Sequence, residues 1–453
     1  MTTLEHLPTG KPHSPGLMGE FAFLLCLGIL PYVMVASLGG VVVLTGICLA
    51  QSPRDIFKRL YQVGFAWLTV LLIVSTLQAT YVGEASLQLL NFLPYFLVWS
   101  AISGRLLAHK YPWRLMERWA WILVLGAIPA FLGAGAEYGL KRLDPVAFPS
   151  LLVALPPLDW LYTGVASDPR AYGPFDSPNT LANYAVMVLG LALGLLMMTL
   201  ERSSRRSPRP AASASGRLAQ SPAFRIAALG LSVASLLLAL YCSGSRNGYL
   251  IALLLFLSSA FLFKVQRWIR WLGFGLVGAI IASVLTFGIG DRPVSGAWVT
   301  QDPRVYVWRL ALRHFHASPW WGKGLGSYKL LYDGSVPGYT EIPHAHNLWL
   351  SLAAESGILT TLCLTIAIGL ICYRVIRQWQ QVQGVSADLS LVKGYSLTFF
   401  AVVLFSLFDV TLYDGRINLL AWLSLAVLYG FGQGLGDCRV SSRYDPDDEK
   451  IPL

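Results

Sequence analysis

The chain has 453 residues, 55% of them hydrophobic and only 13% charged, and its mean hydropathy is +0.57. Soluble domains carry roughly 25% charged residues, so this composition excludes a soluble enzyme and indicates an integral membrane protein. The formal charge of +10 needs no nucleic-acid partner: most of it belongs to membrane loops, which carry excess Lys and Arg on the cytoplasmic side, and anionic membrane lipids are the partners left over.

The polar N-terminal stretch shows no cleavable signal pattern. The apolar run 18–50 is too long for one crossing and holds Pro31 and Gly39-Gly40 in its middle, which predicts two short segments instead of one helix of about 20 residues. Ten further runs follow near 63–79, 87–103, 119–138, 180–200, 226–243, 248–263, 271–290, 347–373, 394–412 and 417–435. The expectation is an all-α polytopic protein of about twelve spans, a single membrane domain over 1–453. Segment 201–225 carries six Arg against one Glu, and alternation of the spans puts 23 of the 34 basic residues on its side. That side is therefore predicted cytoplasmic, with both termini and a basic linker at 201–225 whose stretch 207–222 reads as disordered. The long loop 291–346 is then periplasmic. Six cysteines without a C-x-x-C pair, nearly all within or beside spans, argue against a disulfide framework or a zinc site.

Three outward elements hold the polar and special residues. In 168–184, Pro and Gly residues mark a structured turn that carries Arg170, which suits either a ligand or a lipid headgroup. The connection Ser243-Gly244-Ser245-Arg246-Asn247-Gly248 holds Arg246 near the hydrocarbon, as an anion-binding fork or as a cap on helix carbonyls. In the long loop, Val305, Trp308, Leu312 and Phe315 recur at helical spacing with Arg309, Arg313 and His316 opposite, predicting an amphipathic interfacial helix. Trp320-Trp321-Gly322-Lys323-Gly324-Leu325-Gly326 lacks the flanking strand and Ser/Thr of a P-loop and reads as a close-packed turn.

The loop closes with Pro343-His344-Ala345-His346-Asn347, where two imidazoles meet the start of a span. A helix N-terminus carries partial positive charge, which disfavours an imidazolium and suits His346 to accept a proton. Two histidines merely hydrogen-bonded at an interface are the plainer possibility. Metal binding is not expected, because no third ligand lies nearby in sequence. Glu355, about 13 Å further along the helix, falls inside the bilayer, where ionisable residues are functional candidates. It joins Asp409 and Arg416, on the last outward turn, as a supporting residue behind the histidines.

These features together resemble the O-antigen ligase and polymerase superfamily of bacterial envelope polysaccharide enzymes. The resemblance is carried by the arginine-bearing turn before a Pro-Asn-x-x-Ala span (Arg170 to Ala182) and by Ser-x-Ser-Arg (Ser243 to Arg246). The large loop adds Trp308, Pro319, Gly322 and Gly324, and closes with His-x-His-Asn-x-x-Leu-x(4)-Glu-x-Gly (His344 to Gly357). The Phe408-Asp409 to Tyr413 turn is also similar to cyanobacterial relatives labelled as inorganic-carbon transporters.

The resemblance implies a metal-independent glycosyltransferase without cofactors, located in the inner membrane with its active face periplasmic. It would pass a glycan from undecaprenyl pyrophosphate to a hydroxyl of lipid A-core, with inversion. His346 would be the base and His344 would orient it or the acceptor. Arg170, Arg246, Arg304 and Asn347 would hold the pyrophosphate or substrate. A polymerase of the same superfamily and a bicarbonate transporter are the alternatives; against the transporter, the sequence shows no inverted repeat and no paired broken helices.

Overall fold

The computed structural model describes residues 17–143, 168–205, 221–263, 304–336, 340–382 and 387–435, with scattered positions between 271 and 286. Among the described residues every regular element is helical. The run 18–50 forms two segments, α1 (Leu17–Ile29) and α2 (Met34–Gln51), parted by the turn at Pro31. Then come α3 (Pro53–Val63), α4 (Phe65–Leu77), α5 (Val82–Gln88), α6 (Leu93–Ala108), α7 (Pro112–Leu143), α8 (Pro178–Arg205), α9 (Pro222–Ser243) and α10 (Arg246–Leu262). After a gap follow α11 (Arg304–Ala317), α12 (Ser327–Leu330), α13 (Leu348–Gln381), α14 (Ala387–Phe405) and α15 (Gly415–Gly430).

Eight helices among the described residues are long and apolar enough to cross a bilayer, nine if the bent pair α3/α4 counts as one. The shorter apolar helices α1 and α10 extend the alternation. The chain is thus a multi-pass, all-α membrane protein, but the count of twelve is not reproduced, and the expected span 271–290 lies mostly outside the described residues. The basic linker expected at 201–225 is shortened by helix at both ends: α8 runs through Arg205 and α9 starts at Pro222. Residues 206–220 between them, and 291–303 of the long loop, lie outside the described residues.

The bundle centre is α8, whose residues from Tyr184 to Ala192 bury every hydrophobic side chain completely. Glycines let its backbone touch α14: a Cβ on Gly194 would lie 2.5 Å from the Cα of Gly394, and one on Gly190 2.5 Å from the amide of Thr398. Close approach of this kind is how small residues drive helix packing where lipid removes the hydrophobic gain. At one end of the bundle Glu117 pairs with Arg202 at 2.7 Å and Arg225 at 3.1 Å, and Arg202 pairs with Asp388 at 2.9 Å. The opposite end collects the start of α8, the end of α9 and the starts of α10, α13 and α15, and there lie all the residues singled out above.

Two interruptions occur among the described helices, neither of them marked in the sequence, which argues only against paired broken helices. α3 and α4 meet at 81° across Gly64, whose φ of 100° suits glycine alone. α13 breaks at Gly357 (φ 77°, ψ 174°), and there the glycine turn docks. Lys323 N donates to Ala354 O (3.1 Å), Gly324 N to Glu355 O (2.7 Å), and Ile358 N to Pro319 O (2.8 Å). The polar groups freed by the break are thus satisfied by the loop, as burial away from water requires. Positive φ at Gly322, Gly324 and Gly326 makes the turn close-packed: a side chain on Gly322 would run into the Glu355 backbone.

The amphipathic helix α11 exists, but its packed face is Val307, Leu310 and Ala311, which join Tyr328, Ala345 and Ala354 in a small second core. The expected stripe Val305, Trp308, Leu312 and Phe315 is half-buried to exposed. That stripe is left open on the protein surface, as an interfacial apolar face would be, while the neighbouring face packs against the protein.

Candidate active site

The segment 344–348 is built around a cap. Asn347, not His346, is the N-cap of α13: its Oδ1 accepts the Leu350 amide at 3.0 Å. Its Nδ2 donates to Leu407 O at 3.1 Å, and Leu348 N donates to Ser406 O at 2.8 Å. Both ends of the Asn347 amide are therefore engaged in holding the α13 start against the end of α14. Among the described residues, His346 is the one non-glycine residue with positive φ (48°), a conformation that costs roughly 1–2 kcal/mol and that the fixed neighbours on both sides enforce.

That conformation folds the two rings together. The imidazole centroids of His344 and His346 are 4.5 Å apart, edge to face, and both rings meet Asp409 from the turn after α14. His344 Nε2 lies 3.7 Å, and His346 Nδ1 3.5 Å, from Asp409 Oδ1. These separations exceed the roughly 2.7–3.2 Å of direct hydrogen bonds, as is common for proton-transfer groups before substrate tightens them.

The tautomers follow from the contacts. His344 Nδ1 accepts the backbone N–H of His346 at 3.2 Å, so a neutral His344 carries its proton on Nε2, facing the carboxylate. Asp409 Oδ1 faces His346 Nδ1 across 3.5 Å, so a proton placed on Nδ1 would point at the carboxylate and leave Nε2 unprotonated. Burial, then the neighbouring His346, pushes His344 down to about 4, with Asp409 opposing; His344 is neutral at pH 7. For Asp409, burial alone would raise the pKa, but the His346 contact and the charges of both histidines hold it below the usual carboxylate value. An ionised carboxylate therefore faces two imidazoles. Arg304, at the head of α11, is near enough that its charge also bears on His344.

These three side chains also offer ligand atoms within 4.8 Å of one another. No third ligand lies nearby in sequence, but the fold brings Asp409 in from a distant turn. Holding an ion would require rearrangement, because His344 would have to move its proton to Nδ1 and give up its backbone contact in order to coordinate through Nε2.

Arg170 and Arg246 belong to a second group. Ala171 N donates to Cys242 O at 2.9 Å, and Ser245, the N-cap of α10, donates its hydroxyl to Asn179 at 2.9 Å. The arginine-bearing turn and the Ser-x-Ser-Arg turn are thereby joined. The Arg170 guanidinium is held by Asp168 through Nε (3.1 and 3.2 Å) and Nη2 (2.7 Å). Burial disfavours the Asp168 carboxylate, yet Arg170 brings its pKa down to about 2.

The supporting residues divide. Asp409 touches the histidines directly. Glu355 is a tie for the loop: it accepts Tyr328 N at 3.2 Å and the Tyr413 hydroxyl at 2.8 Å. Arg416 is buried beside the Phe175 ring, 3.5 Å from Asp414 and 4.0 Å from Asp176, so it links the 168–176 turn to the start of α15.

Glu137 and Lys141, near the end of α7, went unnoticed in the sequence. The rule that ionisable residues inside spans deserve scrutiny would have found them.

Fold and site define a multi-pass helical membrane protein with a His–His–Asp cluster and two arginine-bearing turns at one end of its bundle. Residues 231–365 match the family model described as O-Antigen ligase, which places that segment, just under a third of the chain, in the O-antigen ligase superfamily. The segment includes Arg246, Arg304, His344, His346 and Glu355 but stops short of Asp409 and Arg416, and begins after Arg170. No curated protein matches the chain.

Proposed function

We propose that the chain transfers a glycan from undecaprenyl pyrophosphate to a hydroxyl of lipid A-core, at the periplasmic face of the inner membrane, without a metal ion. The observation that carries this reading is Asp409 Oδ1 lying 3.5 Å from His346 Nδ1; with its proton on that nitrogen, His346 would offer Nε2 as the acceptor. The acceptor hydroxyl attacks the anomeric carbon, His346 Nε2 takes its proton, and the bond from that carbon to the pyrophosphate oxygen breaks with inversion. Undecaprenyl pyrophosphate departs with its charge neutralised by arginine. Guanidinium matches phosphate oxygens in pairs, which supports Arg304, Arg246 and Arg170 for that task; of these, Arg170 would exchange Asp168 for the donor. Asp409 keeps His346 in the productive tautomer, as the acid of a Ser–His–Asp triad does.

The interrupted helices do not favour a transporter. The break at Gly357 is filled by the chain's own backbone, where a solute site would need open groups.

The test is transfer of labelled glycan from its lipid carrier to lipid A-core by purified protein in EDTA. Wild type is expected to be active and His346→Ala inactive at normal expression and insertion, with His344→Ala milder. Full activity of His346→Ala, or loss of wild-type activity in EDTA restored by a divalent ion, refutes the metal-free base mechanism.

A further inference from the structure

Two turns from the end of α7, Glu137 and Lys141 form an ion pair with Nζ 2.7 Å from Oε1, and only 6% and 3% of their side chains are exposed. A buried pair of this kind is weak evidence for stability, since apolar residues of similar volume often serve the fold as well. What distinguishes this pair is where its remaining valences go. Glu137 Oε2 accepts the amides of Tyr172 at 3.0 Å and Gly173 at 2.7 Å. Lys141 Nζ donates to the carbonyl of Arg170 at 2.9 Å and lies over the Tyr172 ring, 5.1 Å from its centre. Gly173, at φ +57°, lies against Ala130 and Ala134 of the same helix. With the amide of Ala171 on Cys242 O, the polar backbone of 170–173 is pinned to α7 and α9.

We propose that Glu137 and Lys141 are positioning residues that hold the Arg170 turn in register with the Ser243–Arg246 turn, so that both guanidinium groups meet one diphosphate. This rests on the reading of Arg170 as a donor-binding residue. The pair touches no reacting atom; it acts through three backbone tethers, and misplacing a binding group by about 1 Å can cost on the order of 100-fold.

Two charge-balanced double variants test the idea in the full-length protein. Glu137→Leu/Lys141→Met removes all three tethers, whereas Glu137→Gln/Lys141→Met keeps an oxygen for the Tyr172 and Gly173 amides. Hydrogen exchange of peptides covering 168–176 and the kinetics of transfer from the undecaprenyl-pyrophosphate donor are measured for both. The Leu/Met variant is expected to exchange faster at 172–173 and to raise the donor KM on the order of 10–100-fold with a smaller effect on kcat; the Gln/Met variant should recover most of both. Wild-type exchange, or a wild-type donor KM, in the Leu/Met variant overturns the proposal, as do equal losses in both variants that follow melting temperature alone. Arg170→Ala tells the two failures apart. If it is impaired while the Leu/Met variant is not, the clamp is wrong and the arginine stands; if it matches wild type, donor binding by Arg170 falls and takes the clamp with it.

Discussion

The hydroxyl of Tyr413 donates to Oε2 of Glu355 at 2.8 Å, tying the turn before α15 to the short first piece of a broken helix and, through Tyr328 N on Oε1, to the long loop. Removing one donor from a buried carboxylate costs about 1–3 kcal/mol. Tyr413→Phe should therefore lower thermal stability in detergent by that amount and make the 304–336 region more sensitive to protease, with no change in the pH profile of transfer. An unchanged melting curve would show that the tie is not needed.

Asp409→Asn keeps the shape of the cluster but presents an amide that can favour the wrong imidazole tautomer. Transfer should fall by about 100- to 10,000-fold with little change in donor KM. A kcat within a few-fold of wild type would remove Asp409 from the mechanism.

Lysine at Arg170, Arg246 or Arg304 retains charge but not the planar fork. Each variant should raise the donor KM or lower kcat/KM measurably, most at whichever arginine touches the bridging diphosphate. A lysine variant with wild-type kinetics identifies that arginine as structural.

His344 gives a pH dependence of stability. Its folded pKa of about 4 lies below the unfolded value of roughly 6.5, so between these values the unfolded chain binds more protons. Stability then falls as pH drops from about 6.5 to 4, by up to about 3 kcal/mol. Asp409, also depressed, contributes its loss only below about pH 4. Melting temperatures of His344→Gln between pH 7 and 4.5 should be flatter than those of wild type; parallel curves would contradict the burial of a neutral imidazole.

Gly357→Ala places a Cβ against the Trp320 carbonyl at a φ of 77°. The backbone strain alone is roughly 1–3 kcal/mol, so yield of folded protein should drop sharply. A well-expressed alanine variant would mean the break can heal into continuous helix.

Local signals were legible in the sequence. Pro31 announced the division of 18–50, and the alternating glycines at 322–326 announced a tight turn, because each depends on nearby residues alone. The His-x-His-Asn run marked the start of α13. What was not legible depends on distant packing. Nothing local to Asp409 says that its turn folds onto His346, and the match to the family model ends before it. The capping role of Asn347 could not be told from a ligand role, because a cap and a binding amide use the same atoms. The second face of α11, Val307, Leu310 and Ala311, packs into the small core beside α13, a contact that depends on distant residues and not on the periodicity of the helix itself.

The backbone contact between Gly194 and Gly394 works like an axle pressed into its bearing. α8 carries the 168–176 turn at its head and α14 carries Asp409 just past its tail, so the two halves of the candidate site are mounted on helices with no clearance between them. Sliding or spreading one against the other would meet bare backbone at once, so any alanine placed at Gly194 would be felt at the far end of both helices.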